Sequence, residues 1–163
     1  SYQPLNYEMI KEALEERFGG KWQIVIRLHN RLKKESRSWL NLLPSYVSDA
    51  TFYEDMQELL LCTDVGLTDY SSWIFDFVLS GKPGFIIELN LEDYENARGF
   101  YYPIDTTPFP IAMNSEELAA NIRKFDAEKY EKDKDVFLAA RGCMEDGHAS
   151  ERIVEKINEL MAK

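Results

Sequence analysis

The chain has 163 residues, of which 45% are hydrophobic and 13% aromatic, and its formal net charge at pH 7 is −10. This length and apolar content suit one folded domain with a sizeable core and exclude an intrinsically disordered chain. The negative charge argues against binding to nucleic acid or to an anionic membrane surface, because both depend on lysine and arginine. No apolar run approaches the roughly 18 residues that a membrane-spanning helix needs.

The first half of the chain alternates helical and strand patterns. Asn6 is a suitable N-cap for a helix that ends near Phe18, where Gly19 follows. A nearly continuous apolar run from Trp22 to Leu28 predicts a buried strand. The elements predicted next are a loop or irregular helix over 31–44, a short strand at 46–48, a helix over 54–62, a strand over 64–67 and a helix over 71–80.

The second half continues the same alternation. Residues 85–87 form a short apolar run that predicts a buried strand, and 101–110 are rich in aromatic residues and proline, which predicts a loop. Asn114 and Glu117 have capping-box spacing and open a helix to about Phe125, with further helices expected over 128–140 and 148–161. Strands alternating with helices predict one α/β domain over residues 1–163, with a Rossmann-like parallel sheet flanked by helices.

The two cysteines form neither a disulfide framework nor a CxxC metal motif, which fits a reducing cytoplasm. Cys62 follows the apolar run 59–61, which predicts a buried free thiol, and Cys143 is far away in sequence. No spacing of His, Asp or Glu indicates a metal site. The sequence therefore predicts neither a metal nor another cofactor.

The segment Thr-Asp-Tyr-Ser-Ser at 68–72 joins the strand over 64–67 to the helix over 71–80. In α/β sheets ligands bind at the carboxyl ends of strands, and the N–H groups at a helix start attract phosphate. Ser71 and Ser72 therefore either cap the helix or hold a diphosphate, and the two roles are compatible. Asp69 lies at the strand end. Asp76 is four residues after Ser72, and it is either an acceptor for ribose hydroxyls or a buried, paired carboxylate.

Arg27 and His29 lie at the end of the first predicted strand. They are two residues apart, so they share a face of the strand and point towards the same ligand-binding edge. His29 is either a donor to a phosphate or an acid that assists a leaving group, or else an ordinary, partly buried histidine. The chain contains no GxGxxG motif, Walker-type P-loop or GxSxG motif.

These residues belong to one ordered series of motifs. The series comprises Arg-Leu-His at 27–29, Thr-Asp-Tyr-Ser-Ser at 68–72, Gly-Lys-Pro at 81–83, Arg-Gly-Phe-Tyr at 98–101 and Asp-Gly-His-Ala-Ser-Glu-Arg at 146–152. It resembles the CDP-glycerol glycerophosphotransferase family of teichoic acid synthesis, over nearly the whole chain. One departure is Asn30, which stands where the family usually has proline.

The resemblance implies the C-terminal, donor-binding half of a GT-B-type fold, and hence a fragment of a larger two-domain enzyme. It implies transfer of glycerol phosphate from CDP-glycerol, or a related CDP-alditol, to a lipid-linked polyol-phosphate acceptor at the cytoplasmic face of the membrane, with release of CMP. The other half would bind the acceptor and supply the general base, so the isolated chain should be inactive. The motif match implies a catalytic role for His29 and donor binding by Arg27, Ser71, Ser72 and Asp76, with Asp69 beside them.

Three alternatives remain. The donor-binding half of a glycosyltransferase that uses a UDP- or GDP-sugar would share the fold, and a ribitol-phosphate transferase of the same family would share the motifs. A non-catalytic association module is the third alternative, and the polar groups concentrated at the predicted strand ends argue against it. The sequence does not distinguish glycerol from ribitol phosphate, or a polymerase from a primase.

Overall fold

A computed structural model describes residues 5–29, 43–69, 71–88 and 103–162. The helices are α1 (Tyr7–Phe18), α2 (Met56–Leu61), α3 (Trp73–Phe77), α4 (Ser115–Arg123), α5 (Ala127–Ala140) and α6 (Ala149–Met161). The strands are β1 (Ile24–Ile26), β2 (Val47–Asp49), β3 (Gly66–Thr68), β4 (Gly84–Ile87) and β5 (Ile111–Ala112). Short 3-10 turns follow α3 at Val78–Ser80 and precede β5 at Ile104–Thr106.

The strands pair in parallel in two groups. β1 pairs with β2, while β3, β4 and β5 form a three-stranded sheet with β4 in the middle. All four residues of β4 are buried, as expected for a strand that is covered on both faces. Trp22 and Ile24 pack against the same core as Phe85 and Ile86, so the two groups of strands share one core. The predicted α/β class with parallel strands and flanking helices is confirmed.

Local capping chemistry fixes the ends of the long helices. Asn6 Oδ1 accepts a hydrogen bond from Met9 N at 3.1 Å, and α1 ends at Gly19, which has φ +74°. Asn114 Oδ1 accepts from Glu117 N at 2.8 Å in the same way at α4. The predicted extents of α1, α4, α5 and α6 therefore agree with the structure to within about two residues.

Helix α1 is joined to α4 at both ends. Asn6 N donates to Ser115 Oγ at 2.9 Å, so the two helix N-termini meet. At the other end Arg17 Nε donates to Phe125 O at 2.9 Å, and Arg123 forms an ion pair with Glu16. These contacts hold the two helices side by side against the sheet.

Two glycines let α3 approach the sheet closely. A Cβ atom added at Gly66 would lie 2.7 Å from the Phe77 ring, and one at Gly84 would lie 3.3 Å from Ile74 Cδ1 and 2.8 Å from the Phe109 ring. Gly66 and Gly84 are partners across β3 and β4, so they form one shallow depression in the sheet. The absence of side chains there allows Ile74 and Phe77 to become fully buried.

The structure corrects several sequence-based expectations. β1 is shorter than the run 22–28 and is not buried, since Val25 remains 50% exposed. Cys62 is exposed because α2 ends one residue before it and presents Leu61 to solvent as well. The helix predicted over 71–80 is the short α3 with a 3-10 turn, and β5 lies just after the predicted loop. Residues 31–42 and 89–102 lie outside the described ranges.

Helix α6 has an apolar side that the rest of the described structure does not cover. None of its residues is buried, and the exposed apolar side chains are Ile153, Val154, Ile157, Leu160 and Met161. In the ranges that the structure describes, no helix is both long and apolar enough to cross a membrane.

Candidate functional site

The chain turns sharply between β3 and α3, and a buried threonine stabilises the turn. Thr68 is 5% exposed, and its Oγ1 accepts a hydrogen bond from Ser71 N at 3.2 Å. Ser72 already has helical backbone angles, and its side chain makes no capping hydrogen bond. Ser72 therefore occupies the N-cap position of α3 but lacks the side-chain hydrogen bond of an ordinary cap. Thr68 stabilises the turn, and the side chains of Ser71 and Ser72 are exposed at its surface.

In the first backbone hydrogen bonds of α3 the carbonyl groups of these two serines are the acceptors, and the donors come later in the chain. Ile74 N donates to Ser71 O at 3.4 Å, and Phe75 N donates to Ser72 O at 3.0 Å. The N–H groups of Ser72 and Trp73 thus precede the first helical hydrogen bond and lie beside two hydroxyl groups. This combination of backbone and hydroxyl donors at the carboxyl end of β3 is suited to phosphate oxygens.

The two acidic candidates lie on either side of this turn. Asp69 follows β3 directly and is exposed, whereas Asp76 lies within α3 and is also exposed. The buried, paired carboxylate considered for Asp76 is therefore wrong. An exposed carboxylate one turn after Ser72 can still accept hydrogen bonds from ligand hydroxyls.

Arg27 and His29 lie after β1, where the chain is tied to the segment after β2. Arg27 Nη1 donates to Ala50 O at 3.1 Å and to Tyr53 O. Leu28 N donates to the hydroxyl of Thr51, which is fully buried. His29 is exposed at the end of this anchored stretch. The guanidinium of Arg27 thus binds the loop after β2. This contact holds in place the backbone that leads to His29.

The structure arranges the predicted residues in two groups. Arg27 and His29 follow β1, while Asp69, Ser71, Ser72 and Asp76 lie between the end of β3 and the middle of α3. Both groups lie beyond the carboxyl ends of parallel strands, where the sequence placed them. In the ranges that the structure describes, no set of three or more His, Cys, Asp or Glu residues could hold a metal ion.

One buried acid was missed by the sequence analysis. Glu88 follows β4 directly and is only 5% exposed. The sequence does show an acidic residue directly after the apolar run 85–87, which places Glu88 at the end of a strand. That run predicted the strand but gave no reason to expect the carboxylate to be buried, because burial depends on what covers the sheet.

Two further motif blocks have structural contacts rather than exposed donors. Lys82 Nζ donates to Leu61 O at 2.8 Å and to Thr63 O at 2.7 Å, which ties the turn before β4 to the end of α2. Asp146 accepts hydrogen bonds from Arg152 near the start of α6. Both blocks thus help to hold the fold.

Comparison with known proteins agrees with this arrangement. The family model for CDP-glycerol:poly(glycerophosphate) glycerophosphotransferase matches residues 3–159. The chain belongs to this family. A teichoic acid glycerol-phosphate transferase of Staphylococcus aureus (strain NCTC 8325 / PS 47) is 32% identical over 161 residues, covering 96% of this chain and 40% of that protein. A teichoic acid poly(ribitol-phosphate) polymerase of Bacillus spizizenii is 35% identical over 146 residues, covering 80% and 23%.

A solved structure of this glycerophosphotransferase family has the same fold. A variant of the wall teichoic acid polymerase TagF superposes with a TM-score of 0.65 at 26% identity, covering 99% of this chain and 41% of that one. This similarity confirms the predicted GT-B-type, Rossmann-like architecture. The chain spans about two fifths of the glycerol-phosphate transferase and of TagF.

Proposed function

We propose that residues 1–163 form a single domain that binds the nucleotide-linked donor of a CDP-glycerol glycerophosphotransferase. The observation that carries the proposal is the turn between Thr68 and Ser71, because its backbone is stabilised from inside while its hydroxyls face outward. In a family member, exposed donors at the carboxyl end of a parallel strand suit the diphosphate of CDP-glycerol.

Phosphoryl transfer requires positioning and charge stabilisation more than covalent participation by the protein. An acceptor hydroxyl attacks the phosphorus that carries glycerol, the bond to the bridging oxygen breaks, and CMP leaves with the bonding electrons. Ser71, Ser72 and the start of α3 bind the diphosphate oxygens, and His29 donates a proton or a hydrogen bond to the leaving phosphate. Arg27 adds positive charge beside them. Asp69 and Asp76 accept hydrogen bonds from hydroxyl groups of CDP-glycerol.

The remaining components come from outside this chain. The general base that deprotonates the acceptor, and the surface that binds a lipid-linked polyol-phosphate acceptor, belong to the rest of a longer enzyme at the cytoplasmic face of the membrane. Support for this division is the share of the relatives that the chain covers, about 40% of the glycerol-phosphate transferase. The isolated chain is therefore expected to bind donor without turning it over.

Binding measurements test the site assignment directly. CDP-glycerol is titrated into the chain and into Ser71→Ala and His29→Ala, with affinity followed by calorimetry and by ligand-observed NMR, which also detects weak binding. Each lost hydrogen bond to a charged oxygen should weaken binding about 10-fold. Matched controls are Ser45→Ala and His148→Ala, which alter exposed residues outside the two groups. Equal affinity in all five proteins would contradict the assignment.

A ribitol-phosphate donor is a second candidate within the same family. The reason to test it is the 35% identity to a polymerase whose name specifies poly(ribitol-phosphate). The same titration with CDP-ribitol compares the two substrates. The one that binds more tightly shows whether the site prefers glycerol or ribitol phosphate. Tighter binding of a UDP- or GDP-sugar than of either CDP compound would instead favour a glycosyltransferase.

A further inference from the structure

Tyr53 is a large aromatic residue that remains 44% exposed at the carboxyl end of β2. The turn that carries it begins directly after that strand, where Ala50 N donates to Ile26 O at 2.8 Å and Tyr53 N donates to Ala50 O at 3.0 Å. An exposed aromatic side chain that stands alone on a protein surface needs no explanation. Tyr53 is a different case, because it contacts a residue of the candidate site.

The contact with the candidate site is made by Arg27, whose Nη1 donates to the backbone carbonyl of Tyr53. The next amide in the chain, Leu28 N, donates to Thr51 Oγ1 at 3.1 Å. The turn after β2 is thus joined to the stretch that leads to His29 by both a side chain and a backbone amide. These contacts hold Tyr53 beside Arg27, at the edge of the sheet where ligands bind in parallel α/β folds.

The phenol end of the Tyr53 ring is also held in place. Its hydroxyl donates to Glu58 Oε2 at 2.5 Å, and Glu58 is fixed in the first turn of α2, where its own N–H donates to Asp55 Oδ1 at 3.0 Å. The hydrogen bond to Glu58 raises the pKa of the Tyr53 phenol, so the hydroxyl stays protonated and keeps donating at neutral pH. An exposed ring that is held at both ends loses little conformational entropy when a flat ligand stacks on it.

The charges around Tyr53 indicate which part of a nucleotide suits this surface. Glu54, Asp55 and Glu58 are exposed carboxylates that follow Tyr53 within five residues of the chain. Like charges repel, so these carboxylates disfavour a phosphate. They do not disfavour a neutral base, and the exocyclic amino group of cytosine is a donor that a carboxylate can accept. The surface therefore suits a pyrimidine base better than a phosphate.

In a nucleotide the ribose separates the base from the phosphates. A surface that binds the base is therefore expected near the phosphate site but not within it, and Tyr53 meets this condition through its contact with Arg27. We propose that the ring of Tyr53 stacks on the cytosine base of the nucleotide-linked donor. This assignment rests on the proposed donor-binding function and adds to it a residue that binds the base.

Ligands with and without a base test the proposal. Ligand-observed NMR gives the affinities of the unmodified chain, Tyr53→Leu and Tyr53→Phe for CMP and for ribose 5-phosphate, which lacks the base. Leucine removes the aromatic ring and should weaken CMP binding about 10-fold, while binding of ribose 5-phosphate is unchanged. Phenylalanine keeps the ring and should retain most of the affinity for CMP.

The matched control is Tyr46→Leu. Tyr46 precedes β2, and its phenol is hydrogen-bonded to Glu8 much as that of Tyr53 is bonded to Glu58. This control should leave the affinity for CMP unchanged. Unchanged affinity for CMP in Tyr53→Leu would overturn the proposal. An equal loss of affinity for CMP and for ribose 5-phosphate would also overturn it, because that loss would come from displacement of Arg27.

A second measurement detects the base directly. A base that stacks on an aromatic ring has its proton signals shifted upfield, so cytosine H5 and H6 should shift on binding to the unmodified chain and to Tyr53→Phe but not to Tyr53→Leu. Equal shifts with all three proteins would contradict the proposal. If Tyr53→Leu does not fold, nuclear Overhauser effects between the Tyr53 ring and cytosine H6 in the unmodified chain decide instead. Their absence would overturn the assignment.

The donor-binding function is tested separately in the same series. Unchanged affinity for CMP in Tyr53→Leu, together with weaker binding of CDP-glycerol by Ser71→Ala, rejects only the role of Tyr53. Unchanged affinity for CDP-glycerol in Ser71→Ala and His29→Ala rejects the proposed donor site. Absence of any binding by the unmodified chain in ligand-observed NMR rejects both.

Discussion

Arg152 donates two hydrogen bonds to Asp146 through the same nitrogen, at 2.7 Å to Oδ1 and 2.9 Å to Oδ2. Its Nη2 also donates to Met144 O at 2.6 Å, and His148 N donates to Asp146 Oδ1 at 3.0 Å. The segment before α6 is thereby closed onto the helix that follows it. In this family member the block at 146–152 stabilises a turn, and its exposed position does not by itself require a catalytic role.

The hydrogen bond from Arg152 lowers the pKa of Asp146 below the ordinary aspartate value, and the amide of His148 contributes in the same direction. A pKa that is lower in the folded state stabilises the fold above the ordinary value of about 3.9. That contribution is lost as the pH falls through the lowered pKa. We expect carboxyl ¹³C NMR to show Asp146 titrating at a lower pH in the unmodified chain than in Arg152→Gln. Lys156→Gln, whose partner is Glu159, should leave Asp146 unchanged. Identical titration of Asp146 in all three proteins would contradict this role.

Gly66→Ala should destabilise the domain, because its Cβ would lie 2.7 Å from the Phe77 ring. Both the sheet backbone and the fully buried ring would have to move, and overpacking of this kind costs about 1–3 kcal/mol. Urea unfolding followed by circular dichroism measures the loss. Lys132→Ala, on the exposed side of α5, is expected to change stability by less than about 0.5 kcal/mol. An effect of Gly66→Ala as small as that of the control would show that α3 can move away from the sheet without cost.

Lys82→Met should release the segment between α2 and β3 from the turn before β4. The ammonium group donates to Leu61 O at 2.8 Å and to Thr63 O at 2.7 Å, and methionine keeps the apolar stem but removes both donors. Loss of hydrogen bonds from a charged group costs on the order of 1–3 kcal/mol. Amide hydrogen exchange should accelerate at 62–66, while amides in α5 change only with global stability. Lys124→Met, at an exposed lysine after α4, is the control. Unchanged exchange at 62–66 would rule out the tether.

The helices could be predicted because their signals are local. Asn6 and Asn114 are followed three residues later by the N–H group that each one caps, and Gly19 supplies the positive φ that ends α1. β4 was predicted for a similar reason, since a strand buried on both faces is apolar at every position. β5 was not predicted, because a strand of two residues is too short to show an alternation of apolar and polar side chains. Ile111 and Ala112 form a strand only because β4 lies beside them.

The candidate site was predicted in position but not in detail. The carboxyl ends of strands can be predicted from the order of elements, and Ser71 and Ser72 follow β3 as that order predicts. The role of Thr68 in stabilising the turn before α3 could not be predicted, because its hydroxyl approaches Ser71 N only after the chain has turned. The burial of Glu88 depends on strand register and on the helix that covers that face. Neither is encoded in the residues adjacent to it.

The exposed thiol of Cys62 is a site where a fluorescent label can be attached to follow ligand binding. Cys62 precedes β3 and therefore lies towards the amino end of that strand, whereas the turn between Thr68 and Ser71 lies at the opposite end. A fluorophore attached there would sit away from an incoming nucleotide. Cys143, between α5 and α6, provides a second attachment point. Labels on the two cysteines would measure whether the distance between the end of α2 and the segment after α5 changes when a nucleotide binds.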